Sequence, residues 1–153
     1  MTSIPDLSPC TYVSDSPQVL AVGWLGASEA YQRGPVDERV FAKLIELLVH
    51  PWQRGRSMGR HDCEFCRFTG YPFNVSYRNT SVAVGVSNLF VPGRCVIYAA
   101  PSMIVHYIDS HEYAPPAVFQ EAALACPQMS SVEYFYRLTH NGPRGFATGK
   151  RTP

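Results

Sequence analysis

Residues 81–113 read SVAVGVSNLFVPGRCVIYAAPSMIVHYIDSHEY, and this stretch decides the fold. It opens with two runs rich in β-branched and apolar residues, separated by Val91-Pro92-Gly93-Arg94. Pro-Gly supplies turn geometry, so the pattern predicts a β-hairpin. The period then changes. Ile104, Tyr107, Ile108 and His111 fall at i, i+3, i+4 and i+7, the amphipathic stripe of a helix over about 101–110. Pro115 and Pro116 bar its continuation, and Asp109 and Ser110 are weak helix formers. A hairpin followed by a helix bearing His106 and His111 has the order of a ββα zinc finger.

Outward toward the N-terminus, Cys63-Glu64-Phe65-Cys66 supplies the missing half. Zn2+ prefers a tetrahedral shell of thiolates and imidazoles, and a CxxC turn aims two sulfurs at one point. His106 and His111 form an H-x4-H pair, within the spacing of Cys2His2 sites. Residues 67–105 separate the halves, far more than in a short finger, so the expectation is an enlarged ββα zinc-finger-like core. Residues five apart on an ideal helix point about 140° from each other, so the helix is expected to tighten or end between the histidines. Other readings stay open. CxxC can be redox-active, though thioredoxin-like motifs sit in βαβ patterns. His111 and the cysteines can be buried without metal. His61 competes with His106 as a ligand, and Cys95 or Asp109 can replace a histidine; Cys10 and Cys126 read as ordinary cysteines.

The rest of the chain frames this unit. Residues 1–17, rich in Ser and Pro, read as an N-terminal arm, ordered only if it lies on the domain. QVLAVGWLG (18–26) reads as a buried strand closed by Gly26. PVDERVFAKLIELLVHP (35–51) is the clearest helix, with Pro35 in its first turn and Val36, Val40, Phe41, Leu44, Ile45, Leu47 and Leu48 on its apolar face. Residues 52–73 have neither period and read as a loop. PAVFQEAALA (116–125) is a further helix, and Val132, Tyr134, Tyr136 and Leu138 alternate like a strand. The expected organisation is an arm (1–17), one zinc-binding α+β domain (18–140) with a small antiparallel sheet and helices, and a flexible C-terminal tail (141–153).

At 153 residues and 17.0 kDa, the chain has room for one ordinary core and not two. Its 46 % apolar and 16 % charged content excludes wholesale disorder. Five cysteines without a signal-like N-terminus argue against a disulfide framework. No apolar run approaches the roughly 20 residues of a membrane span. A cytoplasmic protein without membrane contact is the reading. The net charge of +1 hides an uneven distribution: Arg54, Arg56, Arg60, Arg67, Arg78 and Arg94 face only Asp62 and Glu64 in residues 51–100, about +4 locally.

GWL (23–25), HDCEFC (61–66) and YAAPSMIVHYIDSHEYAPPAVFQEA (98–122) together resemble a family of small bacterial proteins of uncharacterised function. The resemblance spans roughly residues 20–125 and is most specific in its second half. It implies that Cys63, Cys66, His106 and His111 recur as a unit, and adds His61 as a companion. It implies no activity.

Four ligands fill the shell of zinc and leave no place for water, which favours a structural ion. The leading expectation is therefore a zinc-stabilised binding module, with another protein as partner and Tyr98, Tyr107, Tyr113, Tyr134, Phe135 and Tyr136 available for recognition. The first alternative is contact with a nucleic-acid backbone through Arg54, Arg56 and Arg60, although SMIVHYIDS (102–110) offers no Arg, Lys, Asn or Gln to read bases. The second is a small zinc hydrolase or tailoring enzyme, for which Glu64 or Glu112 is the carboxylate beside a ligand. No catalytic residue is assigned.

Overall fold

The structure, a computed structural model, describes residues 3–54, 61–66 and 73–148. They form an α+β domain. Strands β1 (Val19–Ala21), β4 (Asn88–Pro92) and β5 (Ile97–Pro101) make a sheet of order β1-β5-β4, and β2 (Asn74–Tyr77) pairs with β3 (Thr80–Ala83) in a separate antiparallel hairpin. The central strand β5 is buried along its whole length, as its uninterrupted Ile-Tyr-Ala-Ala-Pro run requires of a strand covered on both faces. It runs antiparallel to β4, with Phe90 opposite Ala99, and parallel to β1, with Leu20 opposite Tyr98. Helix α1 (Glu38–Val49) packs on β3, α2 (Ile104–His111) and α3 (Ala117–Ala125). Helices α3 and α4 (Val132–Asn141) pack on β4. None of these helices is long and apolar enough to cross a membrane.

Both rims of the three-stranded sheet are occupied. Residues 4–10 run antiparallel beside β1, where Leu7 N–H donates to Ala21 O (2.7 Å), Ala21 N–H to Ser8 O (2.8 Å) and Cys10 N–H to Val19 O (2.8 Å). On β4, the Gln53 amide donates to Asn88 O (2.7 Å) and accepts from Asn88 N–H (3.1 Å), while Tyr134 O–H donates to Phe90 O. The arm thus lies on the domain, and Asp6 locks it there by accepting from Gly23 N–H (2.9 Å) and Tyr113 O–H (2.7 Å).

Three expectations are corrected. Residues 132–141 form a helix and not a strand. Ser131 caps it by accepting from Tyr134 N–H (3.1 Å), Tyr134 and Leu138 bury one face at i, i+4, and Val132 is 87 % exposed. The alternating set therefore faces two ways. Helix α1 starts after Pro35: Asp37 is its cap, accepting from Arg39 N–H (2.8 Å). The run SVAVGVSNLF is two strands, broken at Gly85, whose φ of +82° is a left-handed backbone that L side chains avoid. The β4–β5 turn does use Gly93, but for space: a Cβ there would lie 2.5 Å from the Tyr98 ring, while Cys95 carries the positive φ (+59°). Residues 142–148 turn back on the sheet and bury Phe146 against Phe90 and Trp52, which contributes about 1.5–3 kcal/mol of apolar burial.

Candidate metal centre

The CxxC segment is a single 3-10 turn, Glu64–Cys66, carried by a loop with three anchors. His61 N–H donates to Gly85 O (2.7 Å), tying the loop to the link between β3 and β4. Glu64 accepts from Ala27 N–H (2.7 Å), tying it to the end of the GWLG segment. Phe65 packs edge-on against Tyr31 and Tyr107 and lies 5.0 Å from the His111 ring, centroid to centroid. Apolar packing and two backbone-directed hydrogen bonds therefore set the turn against α2.

Helix α2 brings the other half. Ile104, Val105, His106 and Tyr107 are all buried, so its first turn is enclosed on every side and not merely along one stripe. Against the expectation that it tightens or ends between the histidines, the helix runs on through both and ends at His111, with Glu112 in the left-handed conformation as its cap. The rings still meet, because helix side chains lean toward the N-terminus and His111 folds back over the preceding turn. Tyr31 O–H donates to His111 O (2.8 Å) and holds this last residue in place.

The four donor atoms converge. His106 Nε2 and His111 Nε2 are 3.2 Å apart; Cys63 Sγ is 3.4 Å from His111 Nε2, and Cys66 Sγ is 3.3 Å and 3.4 Å from His106 and His111 Nε2. All four atoms lie within 4.8 Å of one another. A tetrahedron with Zn–S near 2.3 Å and Zn–N near 2.0–2.1 Å has S···N edges of about 3.5 Å and an N···N edge of about 3.3 Å. The observed edges fit that shell. Cys63 and Cys66 with His106 and His111 are thus a group that could hold a metal ion.

Burial disfavours charge at three of the four donors. Burial pushes the Cys63 thiol up to about 11, against the opposing backbone N–H of Phe65, and the neighbouring Cys66 adds to the rise. Burial also holds His106 and His111 below the usual imidazole range; His111 opposes a charge on His106, and Arg33 one on His111. A divalent ion reverses this preference, since thiolates bind it as anions. Tyr107 lies beside both histidine rings, and its buried hydroxyl has no hydrogen-bond partner among the described residues.

The other candidates lie elsewhere. His61 is outside the four-residue group, stacked on Trp24 with centroids 6.1 Å apart. Cys95 is exposed in the β4–β5 turn, and Asp109 lines an open cavity on α2. Glu64 is engaged with Ala27, and Glu112 pairs with Arg33 at 3.5 Å. Arg54 is half-buried: it donates to Val13 O, lies over the Phe146 ring at 4.7 Å and lines a cavity with residues 11–16. Arg56 and Arg60 lie outside the described residues. Of the aromatic residues expected to offer a surface, Tyr98, Tyr107, Tyr113 and Tyr134 are buried, while Phe135 and Tyr136 are exposed on α4. Sequence reasoning assigned no task to Tyr31, Trp24, Phe65 or Gly85, which position the site. Trp24 explains its place in GWL: its indole N–H donates to Ala99 O (2.8 Å) while its ring backs His61.

No curated protein and no solved structure matches the chain. A family model described as a domain of unknown function, DUF7919, matches residues 2–124, a span that holds all four converging side chains, and the chain belongs to that family.

Proposed function

We propose that the chain is a zinc-stabilised binding module whose Cys63, Cys66, His106 and His111 hold one structural Zn2+, and whose partner is another protein of the cytoplasm. The observation that carries the reading is the set of 3.2–3.4 Å edges among two imidazoles and two thiols, which match the tetrahedral shell of zinc. Two sulfurs favour zinc over the hard cations, which prefer oxygen. When bound, the ion neutralises the thiolates and ties the 61–66 loop to α2. The chain's own residues do the rest. Phe65 packs on the ring of His111, Tyr31 holds its backbone carbonyl, and Glu64 holds the turn through Ala27.

A closed shell of four protein ligands argues against hydrolysis, and the neighbouring carboxylates have other contacts, Glu64 with Ala27 N–H and Glu112 with Arg33. Base reading by α2 is disfavoured by the burial of its first turn. Protein contact is favoured by Phe135, Tyr136 and Val132, exposed together on α4. Elemental analysis of protein purified without added metal should find about one zinc per chain, lost in Cys63→Ser. Cobalt substitution should give a four-coordinate spectrum indifferent to added anions. Absence of zinc would sink the reading, and anion-dependent spectra with turnover would replace it with an open catalytic centre.

A further inference from the structure

On the side of the domain where the arm meets the C-terminal segment, a cavity of about 440 Å3 is lined by Thr11, Ser14, Asp15, Ser16, Arg54 and Arg144, with Phe146 at its wall. We propose that this cavity is a binding site for a tetrahedral oxyanion, a phosphate or a phosphoryl group.

The first argument is Arg54. Its Nη1 is spent on Val13 O and its plane is stacked on the Phe146 ring, so the guanidinium is held in one orientation. Its Nε is sealed from water and has no hydrogen-bond partner among the described residues, so the ring and the Val13 bond alone set its plane. The Nη hydrogens not given to Val13 are the donors left to the cavity, and a guanidinium held in one plane can engage two oxygens of one oxyanion. No carboxylate pairs with Arg54 or Arg144 among the described residues, in contrast to Arg33, Arg39, Arg78 and Arg137.

The second argument is the donor balance of the lining. Ser14 Oγ accepts from Ser16 N–H (3.1 Å) and Ser16 Oγ accepts from Gln18 N–H (3.2 Å). Each hydroxyl oxygen is already an acceptor, so its hydrogen remains to be donated. Two guanidinium groups and these hydroxyls give a wall rich in donors. Asp15 is the one carboxylate on it among the described residues. It opposes an anion and sets a limit on affinity. The cavity is separate from the metal centre and needs none of its residues.

The test uses the full chain with inorganic phosphate and phenyl phosphate as probes, against chloride at matched ionic strength, followed by titration calorimetry and phosphorus NMR. Phosphate should bind saturably where chloride does not. Arg144→Gln, a change at an exposed side chain, should weaken binding about tenfold, the loss of one charge-assisted contact. Arg54→Lys, which keeps the charge but not the planar edge, should weaken it also, and Asp15→Asn should tighten it. Binding of both probes supports a phosphoryl group on a larger molecule, and binding of phosphate alone supports the free ion. A response no different from chloride, or one unchanged in both arginine variants, overturns the proposal.

Discussion

Stripping metal from Cys63, Cys66, His106 and His111 should weaken the fold without abolishing it. The β1-β5-β4 sheet and its helices bury Leu44, Leu89, Phe90, Ile97 and Phe119 independently of the four ligands. The ligands themselves stay compatible when the ion leaves, because they lie at hydrogen-bonding distance and burial disfavours charge on Cys63, His106 and His111. The lost stability is then the linkage term: a metal present at 1,000 times its dissociation constant contributes about 4 kcal/mol. In a domain of this size each kcal/mol moves the melting temperature by about 2–4 °C, so chelation should lower it by about 8–16 °C. Calorimetric melts before and after chelation, with metal content verified on the same samples, provide the measurement. The gap should narrow as pH falls, because the metal must displace protons from thiols held as high as about 11 at Cys63. Superimposable melts after proven metal loss would refute the reasoning and leave the four side chains as a hydrogen-bonded cluster.

Three further outcomes test other parts of the structure. Gly85→Ala should destabilise the domain by about 1–3 kcal/mol and weaken metal binding. Its Cβ would meet His61 O at 2.5 Å and shift the loop that carries Cys63, so denaturant unfolding and a metal titration should both move. Tyr134→Phe leaves Phe90 O without its buried donor and should cost about 1–3 kcal/mol, read from the unfolding midpoint. Burial raises the Asp6 carboxyl above its ordinary value, against the hydrogen bonds from Gly23 and Tyr113. The folded chain therefore binds this proton more tightly than the unfolded one, and Asp6's contribution is greatest at low pH and declines as pH rises from about 3.8 through the raised value. Wild type should gain stability relative to Asp6→Asn on acidification from pH 7 toward 4; parallel melting profiles would contradict it.

Local signals were the legible ones. CxxC and H-x4-H declare themselves by spacing, and the β4–β5 hairpin by its Pro-Gly link, since each depends on residues near in sequence. The parallel pairing of β1 with β5 depends on chain segments far apart, and nothing in Val19–Ala21 names its partner. Helix α4 was misread because Val132, Tyr134, Tyr136 and Leu138 satisfy a period of two, while the deciding features are the Ser131 cap and the burial of Tyr134 with Leu138 alone. At the site, four side chains could be named from spacing. Their orientation could not, because it rests on Tyr31 and Phe65, which touch His111, and on Gly85, which holds the loop through His61, and these contacts exist only after the chain has folded.

A sheet with an open rim recruits strands from other molecules, and this one closes its rims from within its own chain. Residues 4–10 take the hydrogen-bonding edge of β1, and Gln53 with Tyr134 takes that of β4. Copies cannot fuse the β1-β5-β4 sheets into one ribbon while these groups stay docked. Association across that sheet must then run through side chains, where single surface substitutions can tune it. Trimming residues 3–10 would bare the β1 edge and change the molecule's failure mode, from unfolding to strand-mediated polymerisation.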